Sequence, residues 1–182
     1  MISEEATLAV IIPCFNSPNH IKNTCTEILT YFNQPLIVNG LNIKLSRIVL
    51  VDDGANVETK VALQDLKLDP KVTLITLHKN YGQHPAIFAG VLNTTEDYLV
   101  TMDEDGEHNP NDLQLMFEEY FNKSRDIVYA NFKLNQNFVR ESLSKLSKSI
   151  ITWISGDRNV KYFSSFRLVS GEVFRNAAIY AN

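Results

Sequence analysis

Apolar residues fall along this chain in short, nearly unbroken runs that alternate with longer stretches spaced at helical intervals. "LAVIIP" (8–13), "IKLSRIVLVDDG" (43–54), "KVTLITL" (71–77), "YLVTM" (98–102) and "DIVYANF" (126–132) are the runs, and their length and β-branched content predict strands. Between them, 20–32 places Ile21, Cys25, Ile28, Leu29 and Phe32 on one helical stripe. Further helices are predicted over 56–66, over 83–95 with Pro85 tolerated in the first turn, and over 109–121 with proline near the start. Strands alternating with helices imply βαβ units, hence an α/β fold with a mainly parallel sheet flanked by helices. Strands this uniformly apolar are covered on both faces. Beyond 132 the pattern changes. A polar stretch leads into an amphipathic one carrying Phe138, Leu143, Leu146, Ile150 and Ile154, and then come a short strand and a helix starting near Gly171. No internal repeat or low-complexity tract interrupts the order.

At 182 residues, the length fits one domain over 1–182, and 45 % hydrophobic residues suffice for a core. The chain stops in ordinary-looking sequence, which fits a domain shortened at its C-terminus or a short natural form. A net charge of −4 argues against a general nucleic-acid binder. No apolar run approaches the ~18 residues of a membrane-spanning helix. The start "MISEEATLAV" is acidic where a signal peptide is basic, so a cytoplasmic location is expected. Cys14 and Cys25 read as small buried hydrophobes in a reducing compartment.

Charge is concentrated where a strand ends. "MDEDGEHNP" (102–110) packs Asp103, Glu104, Asp105 and Glu107 into five positions. Two other strand ends are polar: Pro13, Cys14, Phe15 and Asn16 after the first, and Asp52, Asp53 and Gly54 after the second. In an open parallel sheet, ligands bind beyond the carboxyl ends of the strands, so the three ends are expected to face one cleft. Asp103 and Asp105, two residues apart, suit a hard divalent cation, Mg²⁺ or Mn²⁺, with a diphosphate completing its shell. Gly106 lets the chain turn so that Glu107 can supply a third oxygen. Taken alone, the acidic tripeptide reads more simply as a solvated turn before a helix. His20, His78, His84 and Trp153 read as surface, helix-start or packing residues. The basic face in "FVRESLSKLSK" reads as solvated, or as a contact with anionic headgroups or a lipid phosphate, with Arg140 its best phosphate ligand.

Taken together, "AVIIPCFN", "IVLVDDGAN", "HKNYGQHPAIFAG", "YLVTMDEDGEHNP" and "SSFRLVSGEVF" resemble, in order and approximate spacing, the family 2 glycosyltransferases of the Rossmann-like GT-A fold. The closest likeness is to the polyprenyl-phosphate sugar synthases of the dolichol-phosphate mannose synthase type, over roughly residues 7 to 180. The resemblance implies that Pro13, Phe15 and Asn16 lie beside a donor nucleotide. It implies that Asp52 and especially Asp53 approach its base, and that Lys79, Asn80 and Gly82 close on it. It puts the metal motif on Asp103 and Asp105, with Glu104 between them in the nucleotide-sugar site. Glu107 stands where the lipid-phosphate subgroup has a glutamine near the metal, His108 keeps that subgroup's histidine, and Arg167 stands where it has an arginine near the phosphates. Ser17 replaces an acidic residue found in many members.

The implied activity is transfer of a sugar from a nucleotide diphosphate sugar, uridine ahead of guanosine, with inversion at the anomeric carbon. Asp105, Glu107 and Arg167 carry the catalytic expectations. The family's usual acidic base has no clear counterpart after the metal motif, which favours a polyprenyl-phosphate acceptor already bearing charge. Glu107 as base keeps a saccharide hydroxyl open. Peripheral contact with the inner membrane face is expected for the lipid acceptor, and a homo-oligomer stays open. The segment 132–140 is expected to act as a lid that orders on ligand binding. Two rival classes differ from this. A nucleotidyltransferase calls for a glycine- and arginine-rich loop that "IIPCFNSPN" lacks, and a non-catalytic nucleotide-binding module would have kept the fold without its chemistry.

Overall fold

The computed structural model describes residues 4–130 and 165–180. Arg140, Lys145, Lys148, Trp153 and the expected lid at 132–140 lie outside the described residues.

The fold grows from β1, Glu5–Cys14. Successive strand side chains point to opposite faces. Leu8, Val10 and Ile12 therefore enter one core, while Ala9 and Ile11 enter another, all fully buried. This is why the run is apolar at every position. After β1 come α1 (Pro18–Tyr31), β2 (Leu36–Val38), β3 (Leu41–Asp52), α2 (Val57–Leu66), β4 (Val72–Thr76) and α3 (Gln83–Leu92). The chain continues with β5 (Tyr98–Thr101), α4 (Asp112–Asn122), β6 (Ile127–Tyr129), β7 (Arg167–Ser170) and a last helix, α5 (Gly171–Tyr180).

The sheet runs β2-β3-β1-β5-β7-β6, and β4 pairs with β3 beyond β2 on the same edge. β4, β3, β1 and β5 form a parallel block. The mainly parallel sheet is thus present, with two departures. β7 runs antiparallel between β5 and β6. β2, absent from the sequence-based expectation, pairs antiparallel with β3 through Asn39 and Gly40, whose φ values of 51° and 85° make the left-handed turn that matches strand twist.

Helices cover both faces. Ile21, Cys25 and Ile28 of α1, Ala62 and Leu63 of α2, and Leu113, Met116 and Phe117 of α4 pack on the Leu8–Val10–Ile12 face. Ala86, Ile87 and Val91 of α3, with Phe174 and Ala178 of α5, pack on the Ala9–Ile11 face. Helix boundaries follow local chemistry. The Asn56 side chain accepts a hydrogen bond from the Thr59 N–H at 2.9 Å and starts α2, and α4 begins only after Pro110. Both cysteines are buried and unpaired, and burial pushes the Cys25 thiol up to about 12. Among the described residues, no helix is long and apolar enough to cross a membrane.

At the opposite end of the sheet from the strand termini, a polar bracket ties the lower edge. Arg47 Nε donates to Glu96 at 2.6 Å, and Arg175 donates to the Glu96 carbonyl at 3.0 Å. The Thr7 N–H and hydroxyl both donate to Asp97, at 2.8 and 2.7 Å.

Candidate active site

Parallel pairing of β3, β1 and β5 brings their carboxyl ends side by side. Cys14 is in register with Asp52, and the Met102 N–H donates to the Ile11 carbonyl. A cleft of about 360 Å³ opens over these ends. Its walls include Pro13 at the end of β1 with Phe15 and Ser17 just after it, Asp53 after β3, Asn80, Gly82 and Gln83 before and at the start of α3, and Asp103, Glu104 and Asp105 after β5.

The two aspartates after β3 do different work. Asp52, 3 % exposed, turns back on its own strand end and accepts the Ala55 N–H at 2.7 Å. Asp53, 4 % exposed, spans to the neighbouring loop, where it accepts the Tyr81 N–H at 2.7 Å and the Gly82 N–H at 2.8 Å. That loop passes close over Gly54, where a Cβ would sit 2.6 Å from the Asn80 nitrogen and φ is 73°. Only glycine meets both conditions. Asp52 does not line the cleft, whereas Asp53 does. Lys79 is exposed at the rim, its ammonium 5.3 Å from the Tyr81 ring centre.

The acidic turn also divides its labour. Asp103 accepts from the Gln83 side-chain amide at 2.5 Å and from the Ser165 hydroxyl. Its own N–H donates to His108 Nδ1 at 3.0 Å. The other ring nitrogen, Nε2, lies 4.0 Å from Asp103 Oδ2. His108 is buried and stacks on Phe166 with ring centres 5.0 Å apart. Glu104 does not face outward. Its Oε1 accepts the Phe15 N–H at 3.1 Å and the Asn16 N–H at 3.0 Å, and its Oε2 is buried without a hydrogen-bond partner among the described residues. Asp105 is exposed and, among the described residues, accepts only the Glu107 N–H, at 3.0 Å.

Among the described residues, no lysine or arginine forms an ion pair with Asp103, Glu104 or Asp105. Their donors are amides, a hydroxyl and backbone N–H groups. Formal negative charge on the cleft wall is left without a fixed counter-charge there.

The other expected residues are not all brought together. Glu107 lines a separate groove of about 670 Å³ between α1 and the 106–111 turn, beside Glu27 and Tyr31, and not the cleft. Arg167 opens β7 opposite Thr101, the last residue of β5. Its Nε donates to Thr101 Oγ1 at 3.1 Å and its guanidinium lies 5.3 Å from the Phe174 ring centre, so it sits beside the cleft rather than in its wall. Asn16 accepts the Asn56 N–H at 3.2 Å. Arg140 lies outside the described residues. Sequence reasoning missed Gln83 and Ser165, the two side chains that hold Asp103. Gln83 could have been found as the polar residue that opens a helix directly after the "KNYG" turn. Ser165 carried no signal.

A metal fits this donor set in part. Of the wall carboxylates, Asp103 and Asp105 are hard oxygen donors at the acidic turn, and Mg²⁺ or Mn²⁺ takes one or two such groups together with substrate phosphates. Among the described residues, no three His, Cys, Asp or Glu side chains gather as a complete cage. A cation held here draws its remaining ligands from a bound molecule.

The sequence model described as glycosyl transferase family 2 matches residues 9–180. An undecaprenyl-phosphate 4-deoxy-4-formamido-L-arabinose transferase of Pectobacterium atrosepticum is 28 % identical over 130 residues, 70 % of this chain and 37 % of that protein. A UDP-N-acetylglucosamine–dolichyl-phosphate N-acetylglucosaminyltransferase of Methanococcus voltae is 28 % identical over 169 residues, 81 % of this chain and 62 % of that protein. The chain thus spans between about a third and two thirds of the length of these relatives. Among solved structures, glucosyl-3-phosphoglycerate synthase from Mycobacterium tuberculosis, in complex with Mn²⁺, uridine diphosphate and phosphoglyceric acid, superposes with a TM-score of 0.66. It is 13 % identical and covers 92 % of this chain and 57 % of its own. The fold is the GT-A fold, and the chain belongs to glycosyltransferase family 2.

Proposed function

We propose that the cleft binds a nucleoside diphosphate sugar together with Mg²⁺ or Mn²⁺, and that the sugar passes to a polyprenyl phosphate. The observation that carries this reading is the meeting of three strand ends in one cleft whose acidic wall has no fixed counter-charge among the described residues. The names of the lipid-phosphate relatives support the acceptor.

Asp103 and Asp105 are the residues to hold the cation. Gln83 and Ser165 fix the orientation of the Asp103 carboxylate, so its lone pairs are presented without a search over rotamers. When bound, the cation supplies Lewis-acid stabilisation of charge on the departing diphosphate. Phe15, 43 % exposed in the cleft wall, offers an aromatic face to the base. Asp53 sets the height of the 79–82 loop against which the nucleotide rests. Arg167 keeps its two terminal nitrogens without hydrogen bonds among the described residues, one strand from Asp103, in reach of a phosphate held there.

In the transfer itself, a phosphate oxygen of the acceptor gives an electron pair to C1 of the sugar. The bond from C1 to the diphosphate breaks with its pair staying on the leaving group, which gives inversion. The acceptor oxygen carries no proton at neutral pH, so no side chain needs to act as a base. A lipid acceptor places the reaction at the cytoplasmic face of a membrane, with the protein in peripheral contact.

The test offers the purified protein a nucleotide sugar, Mn²⁺, and either a short polyprenyl phosphate or a panel of saccharides. Labelled sugar that partitions into organic solvent supports the reading. Transfer to a saccharide alone would overturn the acceptor assignment and turn attention to Glu107, exposed in the adjoining groove, as a base for a hydroxyl.

A further inference from the structure

We infer that Glu104, the middle residue of the acidic tripeptide, is neither a metal ligand nor a direct contact to the sugar nucleotide but the positioning residue that sets the β1 turn. The inference rests on the proposed nucleotide site only for its functional consequence. Its structural half stands independently.

One carboxylate oxygen, Oε1, receives two consecutive backbone N–H groups, Phe15 at 3.1 Å and Asn16 at 3.0 Å. Two N–H groups on one charged oxygen fix the peptide plane between them, because both donors must converge on a single point. That peptide carries Phe15, whose ring is exposed on the cleft wall, and Asn16, whose side-chain oxygen caps the Asn56 N–H at 3.2 Å. Glu104 thereby couples the end of β5 to the end of β1 and, through Asn16, to the start of α2. The three acidic side chains of the turn part company in their contacts. Asp103 turns to Gln83 and Ser165 and Asp105 stays exposed, while Glu104 reaches the β1 turn.

Its second oxygen argues against a ligand role. Oε2 is buried and has no hydrogen-bond partner among the described residues, so a cation or a sugar hydroxyl cannot reach it without a rearrangement around it. Cys14 lies close enough for the Glu104 charge to add to burial in raising its thiol. That thiol donates to the Ile12 carbonyl and not to the carboxylate. An orphaned buried oxygen costs stability. The geometry of the turn offsets this cost, since two N–H groups that have no strand partner are satisfied by one atom.

Three variants test this, with a readout that needs no ligand. In the protein alone, amide hydrogen exchange at Phe15 and Asn16 is expected to accelerate on the order of tenfold or more in Glu104→Ala. Glu104→Gln, whose amide oxygen can still accept both N–H groups, restores protection. Uridine diphosphate affinity with Mn²⁺ present is expected to fall on the order of tenfold in Glu104→Ala and to recover in Glu104→Gln. Affinity for Mn²⁺ alone stays within about twofold of the parent in both, while Asp105→Asn loses it. Unchanged exchange at Phe15 and Asn16 in Glu104→Ala would overturn the positioning role. A loss of Mn²⁺ affinity in Glu104→Ala comparable to that of Asp105→Asn would overturn it too, by making Glu104 a ligand. If the parent protein binds no nucleotide, the proposed function fails while the exchange result still decides this inference.

Discussion

Replacing Asp53 by asparagine changes a single atom pair and tests how the cleft is built. The parent carboxylate uses both oxygens, one on the Tyr81 N–H at 2.7 Å and the other on the Gly82 N–H at 2.8 Å. Asparagine has one acceptor oxygen. Its amide nitrogen would face the second N–H, donor against donor. At least one charge-assisted bond is lost, worth about 1.5–3 kcal/mol. The side chain is 4 % exposed, so water does not replace the bond on its side, although Tyr81 is exposed enough to recover part of its own loss. The expected cost is about 2 kcal/mol, which for a chain of this size lowers the melting temperature by roughly 4–8 °C. Urea unfolding followed by circular dichroism gives the free energy, and hydrogen exchange shows whether the loss falls on Tyr81 and Gly82. Nucleotide affinity should fall with it, because the 79–82 loop forms one cleft wall. A variant within about 0.5 kcal/mol of the parent, with both amides still protected, would refute the role given to this carboxylate.

Other expectations follow the same geometry. Gly54→Ala meets the Asn80 nitrogen at 2.6 Å from a backbone with φ at 73°, so it should cost about 2–3 kcal/mol in thermal unfolding. Combined with Asp53→Asn it should cost less than the sum, since both act on one loop. Asp105→Asn should lower transfer on the order of a hundredfold at limiting metal while leaving apo stability within about 1 kcal/mol, because the residue is exposed and its one acceptor bond survives. Acid stability reports the lower bracket. The Thr7 N–H and hydroxyl hold the Asp97 carboxyl below its ordinary 3.8, and at Glu96 burial pushes the carboxyl up but hydrogen bonds from Thr95, Ser46 and Arg47 outweigh it and leave it below its ordinary 4.5. Both carboxyls therefore add stability that is complete above about pH 4.5 and is lost as pH falls through their depressed values. Thr7→Val should weaken the protein at neutral pH and narrow its difference from the parent in acid, as measured by urea midpoints.

Much of this architecture can be read in the order of residues because the parallel block is apolar on both faces. β1, β3, β4 and β5 lie where unbroken apolar runs lie, and alternation of runs with helical stripes is enough to imply the crossovers. β2 is short, three residues, and its run is interrupted by no periodicity long enough to see. The "NG" at 39–40 was the available signal. The antiparallel direction of β7 is set by pairing with β5 and β6, a long-range choice that local pattern does not encode. At the site, the carboxylates and the three strand ends were legible because charge at the end of a buried strand is anomalous. What each carboxylate touches was not. Asp103 and Glu104 are adjacent in sequence, yet one is held by Gln83 and Ser165, 20 and 62 residues away, and the other by a turn 88 and 89 residues away. Side-chain direction at a strand end depends on those distant donors, and so does the departure of Glu107 into the adjoining groove.

The central claim is that the cleft over β1, β3 and β5 takes a nucleoside diphosphate sugar with a divalent cation. Isothermal titration of the protein with uridine and guanosine diphosphate sugars, each with Mn²⁺ and with chelator, tests it most directly. Saturable binding of at least one of them, tighter with Mn²⁺ and weakened in Asp105→Asn, is the result predicted. A folded protein that binds none of them with the metal present, or binds equally well with chelator, would contradict it.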